Sequence, residues 1–151
     1  MQAVFAHTNI IADDWRKLAK FYIDTFGCEP LPPERNHQGD WIDRVTNMKN
    51  VHISGIHLRL PGYVDGPTLE IFSYIQQPVE KENGLPALNK PGLAHIAFLV
   101  EDVPFYCNKL LRNGGSKLGE IVEKKIAGAG LLTVVYARDP EGNIIEIQNW
   151  K

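Results

Sequence analysis

The sequence predicts an α+β fold in which one short unit is used twice. Three observations carry that prediction. Hydrophobic residues alternate between strand and helical spacing in the same order in both halves of the chain. Two pairs of short motifs align at fixed offsets, the mark of an internal repeat. Each half opens on a strand that holds a histidine and closes on a strand that holds a glutamate.

The elements follow in order. "AVFAHTNI" (3–10) reads as a strand. "DDWRKLAKFYIDTFG" reads as a helix capped by Asp13 or Asp14, with Trp15, Leu18, Ala19, Tyr22 and Phe26 at helical spacing and Gly27 as its stop. "CEPLPPERNHQGDW" (28–41) reads as a proline-rich loop, in which His37 is simply exposed. "VHISGIHLRLPG" (51–62) alternates like a strand, "VDG" turns, and "PTLEIFSY" (67–74) is the next strand. "QQPVEKENGLPALNKPG", with three prolines and mixed charge, reads as a linker. The pattern then restarts. "GLAHIAFLV" is a strand, Asp102 caps a helix with Pro104 in its first turn, and a Gly-Gly pair stops it. "KLGEIVEKKI", "LLTVVYARDPEG" and "NIIEIQNW" supply the remaining strands. The chain is one domain made of two modules, about 1–75 and 92–151, joined by a linker over 76–91.

The repeat is legible by eye. "AHTNIIADDWRKL" aligns with "AHIAFLVEDVPFY", which matches His7 to His95 at an offset of 88. "DGPTLEIF" aligns with "EGNIIEIQ", which matches Glu70 to Glu146 at an offset of 76. The first half is 12 residues longer between its His and its Glu, and the proline-rich loop is the place for the excess.

Composition excludes several classes. The chain of 151 residues is 44% hydrophobic and 23% charged, with net charge -2, so it reads as an ordinary globular protein. Its basic residues are scattered, which argues against a nucleic-acid or anionic-membrane partner. No apolar run reaches the ~20 residues of a membrane span, and the start of the chain lacks signal-peptide character. Cys28 and Cys107 form no metal-binding or disulfide pattern, so a cytoplasmic setting is expected.

His7, Glu70, His95 and Glu146 stand in otherwise apolar strands. A buried carboxylate is costly unless it is paired or bound to metal, and two raise each other's pKa. No Lys or Arg lies in those four stretches, so a divalent ion is the expected partner. Two imidazoles and two carboxylates form a borderline N/O donor set that suits Zn, Ni, Co, Mn or Fe(II). Strand parity gives each of these strands one mixed face, suited to a cleft, and one apolar face, suited to packing under a helix.

The stretches "AHTNIIADDWRKLAKFYIDTFGCE", "GPTLEIFSY", "PGLAHIAFLVEDV" and "ARDPEGNIIEIQNW" resemble the vicinal oxygen chelate superfamily, the glyoxalase/bleomycin-resistance/extradiol-dioxygenase group. The resemblance spans nearly the whole chain and is weakest over 28–50 and 115–130. It implies two tandem βαβββ units forming a curled mixed sheet around a metal cleft. It also implies His7, Glu70, His95 and Glu146 as ligands of one divalent metal ion, with a homodimer as the assembly. The His/Glu/His/Glu set is similar to glyoxalase I, whereas methylmalonyl-CoA epimerases typically carry Gln where Glu70 stands. "GDWIDRV" and "IHLRLPG" are more similar to epimerase-like members.

The reaction this implies is that of a lyase or isomerase acting on a small molecule. It moves a proton next to a metal-bound carbonyl through an enediolate or enolate. Glu146 or Glu70 is the expected base, with resemblance favouring Glu146. Two other readings stand beside it: an Fe(II) extradiol-type dioxygenase, and a metal-free module that sequesters a small aromatic molecule or antibiotic. Arg59 is a candidate for a substrate carboxylate or phosphate. Trp15, Trp41, Phe72, Tyr74 and Trp150 could offer stacking surface, with Phe72 and Tyr74 the candidates nearest Glu70 in sequence.

Overall fold

The computed structural model describes residues 3–75 and 84–151. The chain divides into two compact units, Met1–Lys81 and Glu82–Lys151. Of the linker expected over 76–91, residues 76–83 lie outside the described residues, and 84–91 form no helix or strand.

In the first unit, strand β1 (His7–Ile11) leads into helix α1 (Trp15–Phe26), followed by β2 (Glu29–Gln38), α2 (Asp40–Thr46), β3 (His52–Arg59) and β4 (Thr68–Tyr74). The sheet order is β1-β4-β3-β2, with β1 parallel to β4 and the other pairs antiparallel. Helix α1 starts where the Asp14 carboxylate accepts a hydrogen bond from the Lys17 amide, 3.2 Å away. That satisfies one of the amides a helix start leaves open. It ends at Gly27, whose φ of 75° places it in the left-handed region that glycine enters without strain. Trp15, Leu18, Ala19, Phe21, Tyr22, Thr25 and Phe26 form its buried face. They cover the sheet face that carries Leu58, Leu69 and Ile71, all fully buried.

The second unit repeats the plan. It runs β5 (Ile96–Leu99), α3 (Val103–Arg112), β6 (Ser116–Lys117), β7 (Val122–Ile126), β8 (Gly130–Arg138) and β9 (Ile144–Trp150). The order is β5-β9-β8-β6, with β7 also pairing β8, and β5 is parallel to β9. Asp102 caps α3 by accepting from the Phe105 amide at 2.8 Å. Val103, Cys107 and Leu110 form its buried face.

The offsets read from the sequence reappear as contacts. The Ala12 amide donates to the Phe72 carbonyl at 2.7 Å, and the Val100 amide donates to the Gln148 carbonyl at 2.9 Å. The Ser73 hydroxyl donates to the Ala12 carbonyl at 2.8 Å, and the Asn149 amide nitrogen donates to the Val100 carbonyl at 2.6 Å. Each pair ties the closing strand of a unit to the chain just before its helix.

Four elements differ from expectation. The proline-rich stretch is strand β2, not a loop. It is the outer strand of its sheet, where a residue without an amide hydrogen breaks no inner ladder, and its register shifts between Leu31 and Arg35. Helix α2 follows it and packs Ile42 against Val51, Ile53 and Phe72. His37 is therefore half-buried on β2 rather than exposed in a loop. The single strand expected over "KLGEIVEKKI" is split into β6 and β7, with Gly119 between them. The opening strands are also shorter than expected, so His7 begins β1 and His95 lies one residue before β5.

Candidate functional site

Each unit places one histidine against one glutamate, and the same backbone geometry does it twice. In the first unit His7 pairs with Thr68 across the parallel ladder, so Glu70 lies two residues further along the neighbouring strand on the same face. In the second, Ala97 pairs with Glu146, so His95 stands two residues behind it. The side chains meet accordingly. His7 Nε2 is 3.5 Å from Glu70 Oε2, and His95 Nε2 is 3.1 Å from Glu146 Oε2. Both carboxylates are largely buried, with side-chain exposures of 13% and 14%, so they depend on these partners.

The neighbouring antiparallel strand adds a third group in each unit. His57 pairs with Glu70 in the β3–β4 ladder, and Tyr136 pairs with Glu146 in the β8–β9 ladder. His57 Nε2 lies 2.8 Å from Glu70 Oε1, and its Nδ1 lies 2.9 Å from the Thr68 hydroxyl. Burial, opposed by the Glu70 charge, holds the His57 pKa below its ordinary value; Arg35 and His7 push the same way as burial. The ring is then neutral at pH 7, with Nε2–H donating to the carboxylate and Nδ1 accepting from Thr68. In the second unit Tyr136 hydrogen-bonds Glu146, which raises the phenol pKa together with burial. The phenol keeps its proton and donates it. His95 and Tyr136 meet edge to face with ring centroids 5.4 Å apart, as His7 and His57 do at 5.5 Å.

The two glutamates are held differently. Glu70 also accepts from Asn9 Nδ2 at 2.8 Å, so polar groups engage both of its oxygens. The position equivalent to Asn9 is Ala97, and Glu146 has only His95 and Tyr136 among the described residues. The turn that launches β9 is built by Asp139. Its buried carboxylate accepts from the Glu141 amide at 2.9 Å, the Asn143 amide at 3.0 Å and Asn143 Nδ2 at 2.8 Å. This fixes the register that sets Tyr136 opposite Glu146.

Neither His57 nor Tyr136 stands out in the sequence as a site residue. For Tyr136 the signal was available: a turn centred on Glu141 pairs residue 136 with residue 146. For His57 the eight residues between β3 and β4 left the register open. Arg59 is bound to Glu29 at 2.8 Å and lines a cavity of about 250 Å³ with Gly27, Leu60 and Tyr63. Phe72 is buried in the cluster around Ile42, with Tyr74 packed against it.

The donor chemistry of these pairs fits a borderline divalent ion, with one imidazole nitrogen and one carboxylate in each unit. His95 Nδ1 is buried and has no hydrogen-bond partner among the described residues. No group of three or more His, Cys, Asp or Glu side chains is arranged around a metal-sized point among the described residues. In the first unit His7 and His57 address different oxygens of Glu70.

A family model described as the glyoxalase/bleomycin resistance protein/dioxygenase superfamily matches residues 4–147. The chain belongs to that superfamily. The glyoxalase-type fold is shared with solved structures at low identity. A glyoxalase family protein from Bacillus cereus superposes with TM-score 0.85 at 19% identity, over 99% of this chain and 95% of that one. A glyoxalase/bleomycin resistance protein/dioxygenase domain from Frankia gives 0.60 at 16% identity, over 100% and 93%. A glyoxalase family protein from Enterococcus faecalis gives 0.58 at 23% identity, over 95% of each chain. A search of curated proteins returned no match. Among the described residues no helix is long and apolar enough to cross a membrane.

Proposed function

We propose that this superfamily member is a divalent-metal-dependent lyase or isomerase of glyoxalase I-like type, which moves a proton on the carbon beside a carbonyl of a small-molecule substrate. One observation carries the reading: the same His–Glu pair, in the same parallel register, recurs in both units. His7, Glu70, His95 and Glu146 are the residues that would hold the ion, which is Zn, Ni, Co, Mn or Fe. When bound, it supplies Lewis acidity toward neighbouring oxygens of the substrate.

The chain's own residues divide the remaining work. Glu70, gripped on both oxygens by His57 and Asn9, is the anchored carboxylate. Glu146 has fewer partners and is the base, taking the proton from the substrate carbon and returning it. Tyr136 holds its hydroxyl proton against Glu146 and steadies the carboxylate between the two transfers. We place the protein in the cytoplasm as a homodimer; exposed Val4 and Phe5 beside the outer edge strand β1, and exposed Leu93 and Leu99 at β5, are apolar surface that a second copy would cover.

The test is solvent-proton exchange. The protein, loaded in turn with each of the five ions, is incubated in D2O with a panel of 2-oxo aldehyde hemithioacetals, 2-hydroxy ketones and 2-methyl thioesters, and the proton next to the carbonyl is followed by NMR. The reading predicts exchange that needs the ion and is lost in Glu146→Gln. Exchange absent from every member of the panel, with oxygen uptake on catechols instead, would replace the lyase reading by the dioxygenase one. Tight binding of aromatic compounds with no turnover would replace it by the sequestering one.

A further inference from the structure

We propose that the first unit carries a binding site for an organic carboxylate with a flat aromatic or conjugated body, in which Arg35 holds the anion and Trp41 and His37 hold the plane. The site builds up from the register. Arg35 on β2 pairs with Gly55 on β3, and Gly55 pairs with Phe72 on β4. Paired residues project to one face, so Arg35 shares its face with His57, Glu70 and Phe72. The guanidinium is close enough to His57 for its charge to bear on that ring.

Three features make Arg35 a ligand for something outside the chain. It is half-buried, so its charge carries a desolvation cost that a partner should offset. Its hydrogen-bond acceptor is the carbonyl oxygen of Pro33, a neutral group. The nearby carboxylates of β2 are taken, Glu29 by Arg59 at 2.8 Å and Glu34 by Arg16 at 2.6 Å. No carboxylate among the described residues forms an ion pair with Arg35. A planar guanidinium in that state matches a planar, bidentate anion, and a carboxylate is the simplest one.

The neighbours define the body of the ligand. His37 meets Trp41 edge to face at 5.0 Å and Phe72 at 6.1 Å, and Phe72 meets His57 at 6.2 Å. The rings form a continuous wall from the His7–Glu70 pair to helix α2. Gly55 lets that wall sit low, because a Cβ there would lie 2.1 Å from Phe72 Cδ1. Phe72 is buried and structural, but Trp41 is 52% exposed, so its ring is available to stack. A cation beside an aromatic wall selects an aryl or conjugated acid over a neutral or aliphatic compound.

This assignment rests on the reading of the His7–Glu70 face as a substrate face, and the test separates the two. Tryptophan fluorescence and calorimetry are recorded with phenylacetate, cinnamate and the matching neutral amides, and metal content is measured on the same samples. Wild type should bind the acids at least about 10-fold more tightly than the amides, the size of one charge-assisted contact. Arg35→Gln should remove that preference and leave amide binding and metal content unchanged. Trp41→Phe should abolish the fluorescence response while calorimetry still detects the acids. Equal binding of acids and amides by wild type, no binding of either, or an unchanged preference in Arg35→Gln overturns the site. A wild type that prefers the acids but binds no divalent ion would instead count against the proposed function and leave the site standing.

Discussion

His57→Phe isolates what holds Glu70 in place. Phenylalanine keeps the ring contacts to His7 and Phe72 and removes both hydrogen bonds, at 2.8 Å to Glu70 and 2.9 Å to Thr68. A bond to a charged group contributes about 1.5–3 kcal/mol and a neutral one about 0.5–1.5 kcal/mol. The two side chains of the charged contact are only 19% and 13% exposed, so solvent offers Glu70 little replacement. The expected loss is about 2–4 kcal/mol. With a urea slope of about 2 kcal/mol/M, the unfolding midpoint of metal-free protein should fall by about 1–2 M. A double-mutant cycle with Glu70→Gln apportions the loss: coupling of about 1–2 kcal/mol is expected if His57 acts on that carboxylate. A midpoint shift below about 0.2 M, or coupling near zero, would refute the view that His57 anchors Glu70.

Further outcomes follow from other contacts. Gly55→Ala should be destabilised by about 1–3 kcal/mol or more in the same urea assay, because its Cβ would fall 2.1 Å from the Ile71 carbonyl oxygen, a backbone atom that cannot swing away. Ser73→Ala strands the buried Trp15 amide and Ala12 carbonyl, at 3.0 and 2.8 Å, and should cost about 2 kcal/mol. Burial pushes the Cys28 thiol up to about 12 and raises Cys107 as well, so neither should react with a thiol reagent at pH 8 until the chain unfolds. Because His57 is held below its ordinary pKa, folded protein binds fewer protons there than unfolded protein does. Metal-free wild type should therefore lose stability as pH falls below the ordinary imidazole range, and His57→Phe should flatten that part of the profile.

The repeat was legible because it is written in short motifs whose spacing survives translation into contacts. His7 and His95, Asp14 and Asp102, Glu70 and Glu146 occupy matching places in the two units. Strand β2 was not legible, because Pro30, Pro32 and Pro33 read as a break, and only its position at the edge of the sheet makes them tolerable. Helix α2 is short, starts at Gly39 without a side-chain cap, and gives little periodicity to detect. The ring wall of His37, Trp41 and Phe72 depended on both of those elements and was hidden with them. The buried carboxylates were read as needing metal because no Lys or Arg stood near them in sequence. The structure supplies neutral donors as well, His57 and Asn9 for Glu70 and Tyr136 for Glu146, each from a neighbouring strand whose register the sequence left open or unread.

The central claim is that the two His–Glu pairs serve one metal-dependent chemistry. The most direct measurement is equilibrium binding of the divalent ions to wild type, Glu70→Gln and Glu146→Gln, by calorimetry after exhaustive chelation. Wild type should bind one ion per two His–Glu pairs, and either variant should lose at least about 100-fold in affinity, since each removes a charged ligand. Failure of wild type to bind any of the five ions, or binding by either variant as tight as that of wild type, would contradict the claim.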